Sequence, residues 1–212
     1  MSARYAIYFA PARDSALWRQ AQGWLSQPQL EPLTVSARRY GFHATIKAPM
    51  RLAAKLDELD AALSEFVLDK APVALSGLGL RLIDGFVALT CEPQPVALTA
   101  FAADVVRTFE PFRAPLLPQE RTRRLTAPLT SRQIELVDAY GYPYVLEQFL
   151  FHMTLTDRLA DDCRDAVMAR AADWFAPTLA EPILLDRLVV FDEPEPGAPF
   201  RRLDRDYVLK GA

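Results

Sequence analysis

Glycine is scarce in this sequence, at 8 of 212 residues, and the scarcity limits the phosphate-binding loops that the chain can form. The sequence has no G-x-x-x-x-G-K-[ST], no G-x-G-x-x-G and no G-x-S-x-G segment. Each of those sites needs glycine where the backbone turns sharply or approaches a ligand. Their absence argues against P-loop, dinucleotide-binding and serine-hydrolase chemistry.

Cysteine and long apolar runs are also in short supply. Cys91 and Cys163 are too few for a four-thiolate zinc site or a disulfide framework. No apolar run approaches the ~18 residues of a membrane span, and the apolar stretch 5–9 is too short for a signal peptide. We therefore expect a cytoplasmic protein without membrane contact.

Positive charge is not in excess, because the formal net charge is −3. A protein that grips a long polyanion through many phosphate contacts is usually basic. The charge balance therefore favours a small phosphorylated ligand or a nucleic-acid end over a long duplex. The sequence carries no indication of oligomeric state.

Histidine occurs twice, and both copies stand in the same phrase, Phe-His-x-Thr, at residues 42–45 and 151–154. Successive side chains of a strand point to opposite faces, so His43 and Thr45 share one face, and His152 and Thr154 share another. A single His-x-Thr is most often a hydrogen-bonded structural histidine. A matched pair that uses every histidine of the chain indicates a functional site.

The surroundings of the two phrases repeat as helix, His-x-Thr strand, helix, strand, strand, with an offset of about 110 residues. Apolar periodicity predicts helices at 15–25, 55–69, 96–109, 131–140 and 161–175, and strands at 72–78, 86–91, 182–188 and 200–209. We predict one α+β domain over residues 1–212 with two pseudo-symmetric lobes. Lobe one covers about 1–95, a bridging helix about 96–109 and lobe two about 110–212, and their antiparallel sheets form a central cleft lined by both His-x-Thr strands.

Such a cleft has the groups needed to cleave a phosphodiester. One neutral imidazole accepts a proton from water while a second, protonated imidazole donates one to the leaving oxygen. The hydroxyls of Thr45 and Thr154 can hydrogen-bond the nonbridging phosphate oxygens. This chemistry needs neither a metal nor another cofactor.

The paired phrases resemble the two-histidine (2H) phosphoesterase superfamily. The segments 4–11, 40–49 and 141–144 are similar to its branch of uncharacterised proteins associated with phosphonate-degradation operons. The resemblance implies metal-independent cleavage of 2′,3′-cyclic phosphates, with His43 and His152 as the acid/base pair. It also implies ribose 1,2-cyclic phosphate, from carbon–phosphorus bond breakdown, as a candidate substrate.

Other candidate substrate-binding residues surround the motifs. Lys47 lies two positions beyond Thr45 and is predicted to face the phosphate. Arg81, in the strand pair of the first half, is a candidate phosphate clamp. Tyr40, Tyr142 and Tyr144 lie in turn-rich segments before the motif strands, where their rings can stack on a base or a sugar.

Two alternatives remain at this stage. The same cleft could serve a noncatalytic module that binds a nucleotide or an RNA end. A metal site built on both histidines is disfavoured, because no acidic residue lies within the phrases and the nearest, Asp157, alternates to the other face.

Overall fold

A computed structural model describes residues 3–211 as a mixed α+β fold. Its strands are β1 (Arg4–Phe9), β2 (Ala44–Met50), β3 (Val73–Ala74), β4 (Leu78–Ile83), β5 (Phe86–Cys91), β6 (His152–Thr154), β7 (Leu184–Leu185), β8 (Arg187–Glu193) and β9 (Arg201–Val208). Its α-helices are α1 (Ala16–Leu25), α2 (Val35–Tyr40), α3 (Leu56–Phe66), α4 (Val96–Thr108), α5 (Pro118–Arg124), α6 (Ser131–Tyr140) and α7 (Arg164–Leu179).

The predicted helices form where apolar stripes coincide with capping residues. The Ser15 hydroxyl accepts a hydrogen bond from the Trp18 amide at 3.2 Å and begins α1. Thr130 and Gln133 cap the start of α6 reciprocally, and Gly141 ends it in the left-handed region at φ 73°. The helix predicted over 161–175 begins three residues later and extends to Leu179, because Asp161–Cys163 form a 3₁₀ turn.

One antiparallel sheet of seven strands, in the order β4-β5-β6-β2-β1-β8-β9, contains strands from both halves of the sequence. This differs from the prediction of one sheet per lobe. Strand β6 pairs with β5 on one side and with β2 on the other, which joins the two halves. The β2–β6 junction is short, with Ala44 opposite Met153.

The strand predicted over 72–78 is interrupted by a turn at residues 76–77: Val73–Ala74 pair with Leu184–Leu185 in a separate two-stranded sheet, and Leu78 begins β4. The prediction for 182–188 divides similarly into β7 and the start of β8. In the first motif, His43 lies immediately before β2 rather than inside it.

The two faces of the large sheet are chemically different. One face carries the main apolar core, including Ile7, Phe9, Ile46 and Met153, and the helices cover it. The opposite face carries a smaller apolar cluster around Tyr8 and leaves the polar motif residues accessible. No helix within residues 3–211 combines the length and apolar character needed to cross a membrane.

Candidate active site

The register of the sheet brings the two motifs together. Because Ala44 lies opposite Met153 in antiparallel strands, His43 lies across from Thr154, and Thr45 lies across from His152. The two histidines are therefore diagonal neighbours on adjacent strands, a relation that places residues about 7–8 Å apart, with their Cβ atoms somewhat closer. Each histidine faces the threonine of the other motif.

All four motif residues line one cleft of about 330 Å³. The further residues along its walls are Arg4, Tyr8, Ser36, Ala37, Tyr40, Gly41, Ala48, Pro49, Arg124 and Tyr142. The volume suits a small ligand such as a sugar phosphate or a nucleotide. The walls combine aromatic rings with two guanidiniums, a composition that suits an anionic ligand with a cyclic body.

The two imidazoles are held by the same local contact. His43 Nδ1 lies 2.9 Å from the Gly41 carbonyl oxygen, and His152 Nδ1 lies 2.9 Å from the Leu150 carbonyl oxygen. A carbonyl oxygen only accepts, so Nδ1 donates in both rings and Nε2 is the nitrogen available to a ligand. Gly41 adopts φ 71°, a conformation that favours glycine, and this turn brings its carbonyl to the ring.

His43 has a more enclosed environment than a surface histidine. Its ring stacks on Tyr8 with centroids 3.8 Å apart, and its Nε2 lies 3.3 Å from the Thr45 hydroxyl. Burial lowers the pKa of His43 to about 4, against a hydrogen bond to Gly41 that raises it, and the nearby His152 lowers it further. His43 is therefore neutral at neutral pH, with Nε2 ready to accept a proton.

Arg124 is a cleft residue that the sequence analysis missed. It ends α5, lines the cleft and lies over the Tyr142 ring, with its guanidinium carbon 5.2 Å from the ring centroid. Among residues 3–211 no carboxylate lies within 4.0 Å of its guanidinium. The sequence signal for Arg124 is the arginine cluster at residues 121–124. The spacing of the motifs, however, gives no reason to place this cluster beside the histidines.

Two of the three predicted tyrosines line the cleft. Tyr40 stacks on Phe200 at 5.0 Å and lies 6.4 Å from the His43 ring, and Tyr142 lies on the opposite wall beneath Arg124. Tyr144 does not line the cleft: it is 45% exposed and meets Tyr142 edge to face at 5.5 Å. It can support Tyr142 but does not reach the motif residues.

The prediction that Lys47 faces the phosphate is wrong. A bulge in β2 places Thr45 opposite Tyr8 but Lys47 opposite Ile7, so the alternation is shifted between them. Lys47 consequently lies on the helix-covered side, where it is 3% exposed. Its Nζ donates to the Val106 carbonyl at 3.1 Å and to the Glu110 carboxylate at 2.8 Å.

Arg81 also lies outside the cleft. Its position on β4 is opposite Ala88 of β5, which is opposite Thr154, so it shares the correct face but two strands away. Two strand spacings amount to about 10 Å. The guanidinium turns back along its own hairpin and binds Glu92 at 2.6 Å, which directs it away from the motif residues.

Asp157 is engaged in structure rather than in ligand binding. Its carboxylate accepts hydrogen bonds from the Ser36 and Ala37 amides, at 2.9 and 3.2 Å, and so caps α2 from a distance. Within residues 3–211 no group of three or more His, Cys, Asp or Glu side chains is arranged to hold a metal ion.

Comparison with known proteins defines the family. Residues 45–201 match the family described as "Protein of unknown function (DUF1045)", and the chain belongs to it. A "Ribose 1,5-bisphosphate phosphokinase PhnN" of Janthinobacterium sp. (strain Marseille) is 36% identical over 93% of this chain and 49% of its own length. One with the same name from Laribacter hongkongensis (strain HLHK9) is 35% identical over 93% and 50%. The chain spans about half the length of these curated relatives.

Proposed function

We propose that this protein is a metal-independent phosphodiesterase that opens a small cyclic phosphate. The observation that carries the proposal is the pair of imidazoles in one cleft, each held through Nδ1 by a backbone carbonyl with Nε2 left for a ligand. Each motif also places a threonine hydroxyl in the same cleft. General acid–base catalysis needs two such groups on either side of the reacting phosphorus.

We assign His43 as the base, because burial keeps it neutral at neutral pH. In the proposed reaction, Nε2 of His43 takes a proton from a water molecule as the water oxygen bonds to phosphorus. The bond from phosphorus to one ring oxygen breaks, and protonated Nε2 of His152 supplies the proton to that oxygen. The product is an open phosphomonoester, and solvent exchange returns both imidazoles to their starting states.

Three further cleft residues fit the phosphate itself. Thr45 and Thr154 lie diagonally across the β2–β6 junction and can donate hydrogen bonds to nonbridging oxygens. Arg124 adds positive charge that no carboxylate within the described residues neutralises. Donors of this kind are most valuable where negative charge grows in the transition state.

The proposed origin of the site is an internal duplication with a pseudo-twofold axis near Ala44 and Met153. An antiparallel pair has a local twofold, and this one exchanges His43 with His152 and Thr45 with Thr154. The sequence repeat supports the same relation, since both motifs follow a helix and precede a helix and paired strands.

The names of the curated relatives favour a phosphorylated ribose as the substrate class. Their kinase activity is not carried over, because this chain has no P-loop segment and spans about half their length. Together with the resemblance to phosphonate-associated proteins, this makes ribose 1,2-cyclic phosphate the first candidate. Nucleoside 2′,3′-cyclic phosphates are the second.

A substrate panel followed by phosphorus NMR tests the proposal. We expect a cyclic phosphate resonance to be replaced by a phosphomonoester resonance, at a rate that a chelator does not change. The matched control is the Arg81→Gln variant, whose altered side chain lies at the sheet edge and leaves the rate unchanged. Saturable binding without product from any member would make the protein a binding module instead.

A further inference from the structure

A second cavity adjoins the histidine cleft and is larger, at about 820 Å³. Arg4, Tyr40 and Arg124 line both cavities, so the two spaces adjoin at these three side chains. Arginine dominates the polar part of the second cavity, and its arginines are Arg4, Arg39, Arg51, Arg123 and Arg124.

Three of these arginines are fixed by two carboxylates. Glu193, 1% exposed, binds Arg4 and Arg39, the latter at 2.6 Å, and so holds both guanidiniums in place. Arg51 pairs with Glu120 at 3.2 Å. Since one carboxylate serves two guanidiniums, the paired part of the cavity keeps a positive charge.

Arg123 and Arg124 add two charges with no carboxylate of residues 3–211 within ion-pair distance. Burial lowers the pKa of Arg124, which means that its cation is partly removed from water without an anionic partner. An unpaired, partly desolvated guanidinium is costly unless a ligand supplies the negative charge. The local excess of positive charge contrasts with the net charge of −3 for the whole chain.

We propose that the arginine-lined cavity is a subsite for a second phosphate of the substrate, with Arg123 as its principal ligand and with Arg124, which lines both cavities, between the two phosphates. The inference rests on the proposed function, because the first phosphate is the one placed between His43 and His152. The substrate would then be a cyclic phosphate of a sugar or nucleoside that carries a phosphomonoester at its other end. Because Arg4, Tyr40 and Arg124 line both cavities, one small substrate can extend from the histidine cleft into the arginine-lined cavity.

A small ligand fits this cavity better than a long RNA. Within the described residues, the cavity's arginines without a carboxylate partner, Arg123 and Arg124, lie together at the end of α5, and the neighbouring Arg113 is paired with Glu110. A polymer groove would instead continue unpaired positive charge along the backbone path. Arg121, on the same helix α5, is instead neutralised by Asp138 at 2.6 Å and lines neither this cavity nor the histidine cleft.

The experiment measures binding by calorimetry with ligands that are not turned over. The pair is adenosine 2′-phosphate and adenosine 2′,5′-bisphosphate, together with the 3′ isomers. Each charge-assisted hydrogen bond contributes enough for about a tenfold change in affinity. We therefore expect the bisphosphate to bind at least about tenfold more tightly than the monophosphate, with an advantage that declines as salt increases.

Variants on one helix separate the subsite from general electrostatics. Arg123→Gln should remove most of the advantage of the bisphosphate, whereas Arg121→Gln, the matched control on α5, should preserve it. Circular dichroism and thermal unfolding of both variants establish that they remain folded. Loss of the advantage in Arg121→Gln as well would show nonspecific charge attraction and overturn the assignment.

Equal affinity for the two ligands, or no binding of the bisphosphate, would also overturn the subsite. Affinity that keeps rising with each nucleotide added to a 3′-phosphorylated RNA would assign the cavity to RNA instead. Product formation from cyclic phosphates tests the proposed function separately. A bisphosphate advantage without any hydrolysis would retain the anion subsite and reject the phosphodiesterase.

Discussion

The two His-x-Thr segments are nearly identical in sequence and in backbone contact, but their surroundings differ. In both, Nδ1 donates to the carbonyl two residues earlier at 2.9 Å. His43 is covered by Tyr8 at 3.8 Å and contacts the Thr45 hydroxyl, whereas the nearest aromatic ring to His152 is Phe86, tilted at 6.0 Å. The same phrase is therefore enclosed in one half and more open in the other.

Under the proposed function, this difference gives the two copies of the motif different roles. The backbone contact sets the tautomer in both copies, and burial in addition lowers the pKa of His43. A ring buried against Tyr8 favours the neutral base, and its partner is left to be the acid. The sequence repeat identifies the pair, and in the proposed mechanism the neighbours on the sheet decide which member accepts the proton.

Removal of either imidazole should give the largest effect and test the division of roles directly. We expect His43→Ala and His152→Ala each to lower kcat/KM by ~10²–10⁴-fold, because each proton transfer loses its group. The dependence of the residual activity on pH should differ: His43→Ala loses the acidic limb and His152→Ala loses the alkaline limb. Identical residual profiles would show that the two histidines do not have separate roles.

The threonines should give the next largest effect and distinguish the two halves. Thr45→Val and Thr154→Val should each lower kcat/KM by about ten- to a hundredfold, the range for a hydrogen bond to a charged group. The Thr45 hydroxyl lies 3.3 Å from Nε2 of His43, where it can donate a hydrogen bond that favours the neutral ring. Thr45→Val should therefore also shift the acidic limb of the pH profile to higher pH. An equal shift in Thr154→Val would contradict the asymmetry.

The depressed pKa of His43 should be visible in stability. An unfolded chain protonates His43 near its ordinary pKa of 6.5, whereas the folded state does so at about 4. As pH falls through this window the unfolded state binds more protons, so the free energy of unfolding should decrease. His43→Gln should remove that part of the decrease, measured by urea unfolding at pH 7 and pH 4.5, and His152→Gln should retain it.

The smallest predicted effect concerns Asp157, which follows the second motif and caps α2, the helix before the first motif. Asp157→Ala should lower the free energy of unfolding by about 1 kcal/mol, because the Ser36 and Ala37 amides lose their cap. Asp161→Ala is the matched control, since its carboxylate is 87% exposed beside Arg164 and should change stability by less than ~0.5 kcal/mol. Urea unfolding of both variants measures the difference. Equal decreases in the free energy of unfolding would show that the Asp157 cap does not stabilise the fold.

Sequence periodicity predicted the elements well where local signals were strong. The helix stripes and caps at Ser15 and Thr130 define their own starts, and the alternation around Thr45 and Thr154 gives the correct face. The mixed α+β class followed from these elements. The extent of the strand over 72–78 did not, because pairing with Leu184–Leu185 is set by tertiary contacts.

The wrong site predictions have different physical causes, and neither cause can be read from the local sequence. Strict alternation after Thr45 predicts that Lys47 faces the site. A bulge in β2, which the sequence does not indicate, moves Lys47 to the other side of the sheet. Arg81 lies on the same face of the sheet as the motif residues but two strands away from them. That distance depends on the strand order, which is set by pairing between residues far apart in the chain. The sequence analysis missed Arg124 because α5 has no apolar stripe from which the position of this helix could be predicted.

The interleaved order of the strands determines whether this protein can be divided into independent fragments. Strand β6 separates β5 from β2, and β8 completes the sheet beside β1, so each half supplies interior strands to the other. A fragment that stops after α4 would expose unpaired backbone on both sides of a gap. The two halves of the sequence are thus not separable modules, and the cleft that holds both histidines is assembled only after the last third of the polypeptide has joined the first.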